Sequence, residues 1–205
     1  IGVVSATKQY SIFDNVFTIF ALIGISIPSF FFGLLLIKWF AYDHMWFPVS
    51  GMRTAGSTAT GFAAFKDVMY HMTLPLIVLT LGSLASIMRY TRSSMLEVIR
   101  QDYIRTARAK GLREKVVVYK HALRNAMIPI VTIFGMSLPG LFSGAIITEQ
   151  LFNWPGIGPI NLIAVNNRDF TLLMGLNMFM AVLTLLGNLI ADISYALVDP
   201  RIRLK

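Results

Sequence analysis

Few side chains in this sequence are placed to perform a covalent reaction. It contains no cysteine, which excludes disulfides, thiolate nucleophiles and Cys-based zinc sites. Its three histidines, His44, His71 and His121, stand far apart and form no metal-ligand spacing, so no metal site is expected. No G-x-x-x-x-G-K-[ST] stretch occurs, so the chain has no phosphate loop with which to hydrolyse ATP. The chemically distinctive groups concentrate in one basic stretch, YIRTARAKGLREKVVVYKHALRN (103–125), and in a few polar positions inside long apolar runs.

The basic stretch lies in a wider segment, 89–125. It carries Arg89, Arg92, Arg100, Arg105, Arg108, Lys110, Arg113, Lys115, Lys120 and Arg124 against Glu97, Asp102 and Glu114. Ten minus three gives +7, nearly all of the chain's +8. Nucleic-acid binding does not fit, because the segment is tethered at both ends to apolar runs and has no base-reading motif. Contact with anionic lipid accounts for the charge, but not for the order of residues. In RTARAKG, long basic side chains alternate with small ones. On a helix, Tyr103, Thr106, Ala107 and Lys110 fall near one face, and small Thr106 and Ala107 let a partner surface approach closely. Gly111 is placed to end that helix in the left-handed conformation. A second helical run, 113–129, continues into the next apolar run. A short helix, a glycine turn and an entering helix together read as a lever.

The elements that position this segment are hydrophobic. Hydrophobic residues make up 56% of the 205, charged residues 14%, and mean hydropathy is +0.66; a soluble domain carries about 25% charged residues. Charge-free runs at 15–37, 72–88, 125–148 and 171–191 approach or exceed the ~20 residues needed to cross a bilayer. The expected fold is an all-α integral membrane protein forming a single transmembrane domain over 1–205. Four transmembrane helices are expected at about 15–41, 70–88, 125–148 and 171–198, with 89–124 as the basic loop. Lys and Arg bias sets orientation. The basic loop, residues 1–14 and a C-terminus bearing Arg201, Arg203 and Lys205 are expected in the cytoplasm; the near-neutral loops 42–71 and 149–170 face outward. Lys38, near the outer end of the first span, can snorkel. The chain starts at Ile1 rather than Met, and is expected to be the C-terminal part of a longer one.

Two spans contain related punctuation, GISIP (24–28) and GMSLP (135–139). Proline clashes with the carbonyl four residues back, here that of a glycine, so kinks are expected at Gly24/Pro28 and Gly135/Pro139. With neighbouring Ser29 and Ser137, these residues are candidates for lining a pathway; plain kinks with close packing are the alternative. The fourth span carries Asn177, Asn188 and Asp192. Asn188 and Asp192 share a face near the cytoplasmic end, which suits an interhelical polar contact better than ion coupling. The outer loop EQLFNWPGIGPINLIAVNNRDF (149–170) places Phe152 and Trp154 where headgroups are expected. Pro155, Gly156, Gly158 and Pro159 force turns, and INLIAV suits a short helix. Trp154, Pro155, Gly156 and Gly158 are candidates for an outer gate, or for an interfacial anchor.

With these stretches assembled, the sequence resembles the permease subunits of binding-protein-dependent ABC importers. Their general loop pattern is E-A-A, three residues, Gly, nine residues, I-x-L-P. Aligned on Gly111, the first three positions hold Arg105, Thr106 and Ala107 and the last four His121, Ala122, Leu123 and Arg124, so only Ala107, Gly111 and Leu123 match. The B-type permeases of the oligopeptide, dipeptide and nickel branch are more similar. DYIRTARAKGL (102–112), KHALRNAMIP (120–129), RYTRSSMLEV (89–98), FSGAIITEQLFNWPGIG (142–158), NNRDF (166–170) and ALVDPRIR (196–203) carry that resemblance along the whole chain.

The resemblance implies six spans, of which these would be the last four. It also implies that Tyr103, Arg105, Thr106, Ala107, Arg108, Ala109, Lys110, Gly111 and Leu112 form a coupling helix docking on a separate ATPase. Implied partners are a C-type permease, two ATPase subunits, an extracytoplasmic substrate-binding protein and membrane lipid, in the prokaryotic inner membrane. No cofactor would be bound directly; ATP would sit on the partner subunits. Peptides are the implied cargo, with nickel, glutathione or another small solute as the alternative. A stand-alone channel or secondary transporter would need charges within the spans, and only Asp192 is available. A membrane scaffold would use the basic loop for lipid contact alone.

Overall fold

A computed structural model describes residues 1–137, 140 and 145–198. Among these the chain is helical and contains no strand. The helices are α1 (Gly2–Thr7), α2 (Ile12–Ser26), α3 (Ser29–Leu36), α4 (Gly61–Ile99), α5 (Asp102–Ala109), α6 (Glu114–Val116), α7 (Leu123–Ser137), α8 (Ile146–Leu151), α9 (Ile157–Asn166) and α10 (Phe170–Val198). Wider π-helical turns extend α3 over Ile37–Asp43 and join α6 to α7 over Val117–Ala122.

The first apolar run does not kink; it breaks. Gly24 and Ser26 are weak helix formers, Pro28 has no N–H to give, and the residue before a proline is pushed from the helical region. Accordingly α2 stops at Ser26. Pro28 is extended (φ −57°, ψ 133°), and its carbonyl accepts the first bond of α3, from Phe32 N at 3.0 Å. Pro75 and Pro129, by contrast, sit inside continuous helices.

Helix α4 is longer than the expected second span. Its 39 residues at ~1.5 Å each give about 58 Å, well beyond the ~30 Å hydrocarbon core. The expected loop therefore begins as helix: 89–99 continue α4. Among the described residues, two helices are long and apolar enough to cross a membrane, Gly61–Ile99 and Phe170–Ile190. The bent pair Ile12–Ser26 and Ser29–Asp43 makes a third if counted as one span. Against four expected crossings, two to three are thus accounted for. The remaining run, 125–148, is described as α7 and the start of α8; 138–139 and 141–144 lie outside the described residues.

The chain divides into two units. The first comprises the described parts of Ile1–Ser26, Ser83–Leu138 and Gly187–Lys205. Its core gathers Ala6, Met95, Ile104, Ala107, Val117, Val118, Ala122 and Ala126. Small residues bring its helices close. A Cβ on Gly2 would lie 2.8 Å from Thr91 Cβ and 2.9 Å from the Met88 carbonyl. Ser94 Oγ donates to the Ala126 carbonyl at 2.9 Å, tying α4 to α7. The second unit comprises the described parts of Ile27–Gly82 and Pro139–Leu186. Leu36, Ala41, Leu74, Val78 and Phe152 form its core. Lys38, expected to snorkel, pairs with Asp43 at 2.8 Å.

Candidate functional site

Helix α5 is short and amphipathic. Asp102 in its first turn and Arg108 in its last match the helix dipole. Ile104 (0% exposed) and Ala107 (7%) face inward onto Met95 and Val117 of the first unit's core. Tyr103, Arg105, Thr106, Arg108, Ala109, Lys110, Gly111 and Leu112 are exposed. Thr106 and Lys110 are exposed with Tyr103, whereas Ala107, expected on the same face, packs into the first unit's core.

The end of α5 is set by glycine. The Leu112 N–H donates to the Ala107 carbonyl (3.4 Å) and the Gly111 N–H to the Arg108 carbonyl (2.9 Å). These are the two bonds of a Schellman termination, which needs a left-handed residue at the turn. Gly111 supplies it with φ +75° and has nothing within 4 Å of where a Cβ would stand, so conformation rather than space demands glycine. Across the turn, Arg108 forks onto Glu114, Nε to Oε2 at 3.1 Å and Nη2 to Oε1 at 2.7 Å. The Arg108 hydrogen bond holds the Glu114 carboxyl below its usual range, and Glu114 raises Arg108 in return. Both side chains are exposed, and such a pair contributes about 0–1 kcal/mol. Beyond Arg113 the helix runs through α6 and the π turn into α7, and consecutive Val117 and Val118 both face the core. Asn125 Nδ2 donates to the His121 carbonyl at 2.9 Å. The short helix, glycine turn and entering helix expected from the spacing are all present.

The loop expected to face outward is a helix–turn–helix, with α9 containing INLIAV. Its organiser is Glu149. One carboxylate oxygen accepts the Ala145 N–H (3.0 Å) and the other the Gly158 N–H (2.8 Å). The Trp154 N–H donates to the Glu149 carbonyl at 2.7 Å. Glycine is required for that approach. A Cβ at Gly158 would stand 2.6 Å from Ile146 Cα, and one at Gly156 would overlap the Glu149 carboxylate. Phe152, expected among headgroups, is instead buried at 2% exposure, and its carbonyl accepts the Gly51 N–H at 2.8 Å. Half-buried Trp154 and exposed Pro155 border a groove of about 920 Å³, shared with Phe30, Leu34, Pro159 and Asn166. The gate candidates are thus brought together around Glu149, which is not among the residues expected to form the gate. An acid followed by a Trp-Pro-Gly-x-Gly run was the available signal.

The kink candidates are dispersed over several elements. Gly24 is buried in α2, Pro28 precedes α3, and Ser29 is exposed at the start of α3. Gly135 and Ser137 lie in the last turn of α7, where Ser137 Oγ donates to the Phe134 carbonyl at 2.7 Å. Pro139 lies outside the described residues. Asn177 and Asn188 are exposed on α10, and the side chain of Asp192 is outside the described residues.

A second polar centre was not anticipated. Asp14, 1% exposed, accepts Arg92 Nε at 2.7 Å and Nη2 at 2.9 Å, the Tyr10 N–H at 2.9 Å, and the Ser5 hydroxyl. Ser11 Oγ in turn accepts the Asp14 N–H at 3.2 Å, the arrangement of a helix N-cap. The ion pair joins residues 78 positions apart, and no local pattern reports it.

The family model described as binding-protein-dependent transport system inner membrane component matches residues 1–204. The chain is 47% identical to the oligopeptide transport system permease protein AppB of Bacillus subtilis, over 98% of this chain and 62% of that protein. It is 44% identical to the di/tripeptide transport system permease protein DppB of Pseudomonas aeruginosa, over 98% of this chain and 64% of that one. With the dipeptide transport system permease protein DppB of Escherichia coli it shares 43% identity, over 100% and 66%. The chain spans less than two thirds of the length of these curated relatives.

Proposed function

Because the chain belongs to the binding-protein-dependent transport system inner membrane component family, we propose that it is a permease subunit lining the path of an ATP-driven importer for oligopeptides or dipeptides. The names of its relatives support that cargo. It pairs with a C-type permease and receives peptide from an extracytoplasmic binding protein. ATP is hydrolysed on two separate ATPase subunits at the cytoplasmic face.

The observation that carries this reading is the construction of α5. Its inner face, Ile104 and Ala107, is locked to the core that also holds Val117 and Val118 at the head of the helix leading into α7. Its outer face, Tyr103, Thr106 and Lys110, is free to be gripped. A push on that face moves a helix rather than a loop.

The test is peptide uptake and peptide-stimulated ATP hydrolysis by the full-length, assembled complex. Thr106→Trp overfills a docked surface, at about 1–3 kcal/mol, so ATPase docking weakens roughly 5- to 150-fold. Gly111→Val forces a β-branched residue to a positive φ. Both variants assemble with the partner permease and lose uptake and stimulated hydrolysis together, whereas Gly111→Asn, which tolerates that conformation better, retains more of each. Full stimulated turnover in Thr106→Trp and Gly111→Val overturns the docking reading. Loss confined to neutralising Arg108, Lys110 and Arg113 assigns the segment to lipid contact instead.

A further inference from the structure

We infer that the first unit carries a binding site for one anionic phospholipid, in a cavity between α2 and α4 where the apolar part of α4 ends. The site does not depend on which solute is carried. The cavity holds about 230 Å³, room for roughly eight waters at ~30 Å³ each. Its lining mixes polar and apolar side chains: Arg89, Arg92 and Thr18 stand beside Leu22 and Met88, which lie toward the charge-free stretches of α2 and α4, with Leu96 one turn beyond Arg92.

Depth places it among headgroups. Residues 68–88 of α4 contain no Asp, Glu, Lys or Arg, and at about 1.5 Å per residue they span about 30 Å, one hydrocarbon thickness. Arg89 is the first charge beyond that stretch, and Arg92 follows one turn later. Thr18 likewise lies one turn inside Asp14 at the start of the charge-free run of α2. A ligand here has its charged end at the interface and its apolar end in the hydrocarbon, which describes a phospholipid.

Charge complementarity selects an anionic one. Asp14 takes Nε and Nη2 of Arg92, leaving three of the five guanidinium N–H groups for other acceptors. Arg89 makes no ion pair among the described residues; its guanidinium lies 5.8 Å from the Tyr90 ring centroid. The neutral fork onto Asp14 fixes the position of Arg92, and Arg89 supplies the net positive charge. A phosphodiester satisfies both, while its first methylenes lie against Leu22 and Met88.

The experiment uses the full-length complex in nanodiscs of phosphatidylcholine containing a minor fraction of phosphatidylglycerol. The readout is phosphatidylglycerol retained per complex after detergent washing, by mass spectrometry. The wild type retains phosphatidylglycerol in preference to phosphatidylcholine. Arg89→Gln lowers that retention about fivefold, the effect of one basic residue at an anionic surface. Leu22→Trp, which fills the apolar side, also lowers it. Arg113→Gln, outside the cavity, leaves it unchanged. Unchanged retention in Arg89→Gln overturns the proposal, whatever Leu22→Trp does to assembly. An equal loss in Arg113→Gln overturns it in favour of diffuse surface charge. A photo-crosslinker at Met88 that captures protein in place of lipid assigns the cavity to a subunit contact and overturns it as well.

Discussion

Gly158 and Gly175 look alike in sequence, each a glycine among apolar residues, yet the fold requires only the first. A Cβ at Gly158 meets the Ile146 backbone and the Glu149 carboxylate, whereas at Gly175, inside α10, nothing stands within 4 Å. Backbone cannot move aside as a side-chain tip can. Gly158→Ala is therefore expected to cost about 1–3 kcal/mol by overpacking, and Gly175→Ala to leave stability unchanged or raise it by about 0.5–1 kcal/mol through helix propensity. Thermal unfolding of the purified complex separates them; equal shifts would refute the view that Glu149 is sealed in by glycine. At this scale the sequence was partly legible. Gly111 announced its turn, because a glycine after a short helical run has one common use. Ala107 misled, because spacing alone places it between the inner and outer faces of α5. The side was decided by Met95 and Val117, which lie outside that helix.

Among the elements, the start of α2 depends on a partner that only the fold supplies. Asp14 is buried where α1 packs on α2, and Arg92 on α4 reaches in to pair with it. Removing one member of a buried pair strands the other, at about 3–5 kcal/mol, whereas replacing both with apolar residues is often tolerated. Arg92→Leu is thus expected to expose the 1–26 segment to protease in the solubilised complex, and Asp14→Leu combined with Arg92→Leu to restore much of the protection. If the double variant is as sensitive as the single one, the pair is not what holds α1 and α2 to α4. Helix identity was legible here because, among the described residues, the long apolar runs are mostly helical. Helix ends were not. The break at Pro28 depended on how Gly24 and Ser26 weaken the turn before the proline, and α4 outran its apolar stretch because Arg89 and Arg92 are compatible with helix beyond the hydrocarbon.

For the whole molecule, α10 makes the strongest demand on the surroundings. Its apolar window is 6% buried, and Met174, Met178 and Leu185 are about 70% exposed. A surface of that kind belongs against lipid or another membrane helix, not water. With the crossings in the bilayer, charge gives the expected direction. Arg100, Arg105, Lys110 and Arg113 are all exposed in the segment between α4 and α6, and positively charged short loops stay on the cytoplasmic side. Lys8, exposed just after α1, belongs to the same unit as that segment, whereas exposed Thr58 and Asn167 lie in the near-neutral loops expected to face outward. The absence of native cysteine gives a clean background for testing this in the full-length protein. Lys8→Cys and Lys110→Cys should react with a membrane-impermeant maleimide only after the cytoplasmic face is opened. Thr58→Cys and Asn167→Cys should react on intact cells. Lys110→Cys labelled on intact cells would place α5 on the wrong side of the membrane from any ATPase, and the coupling role would fall with it.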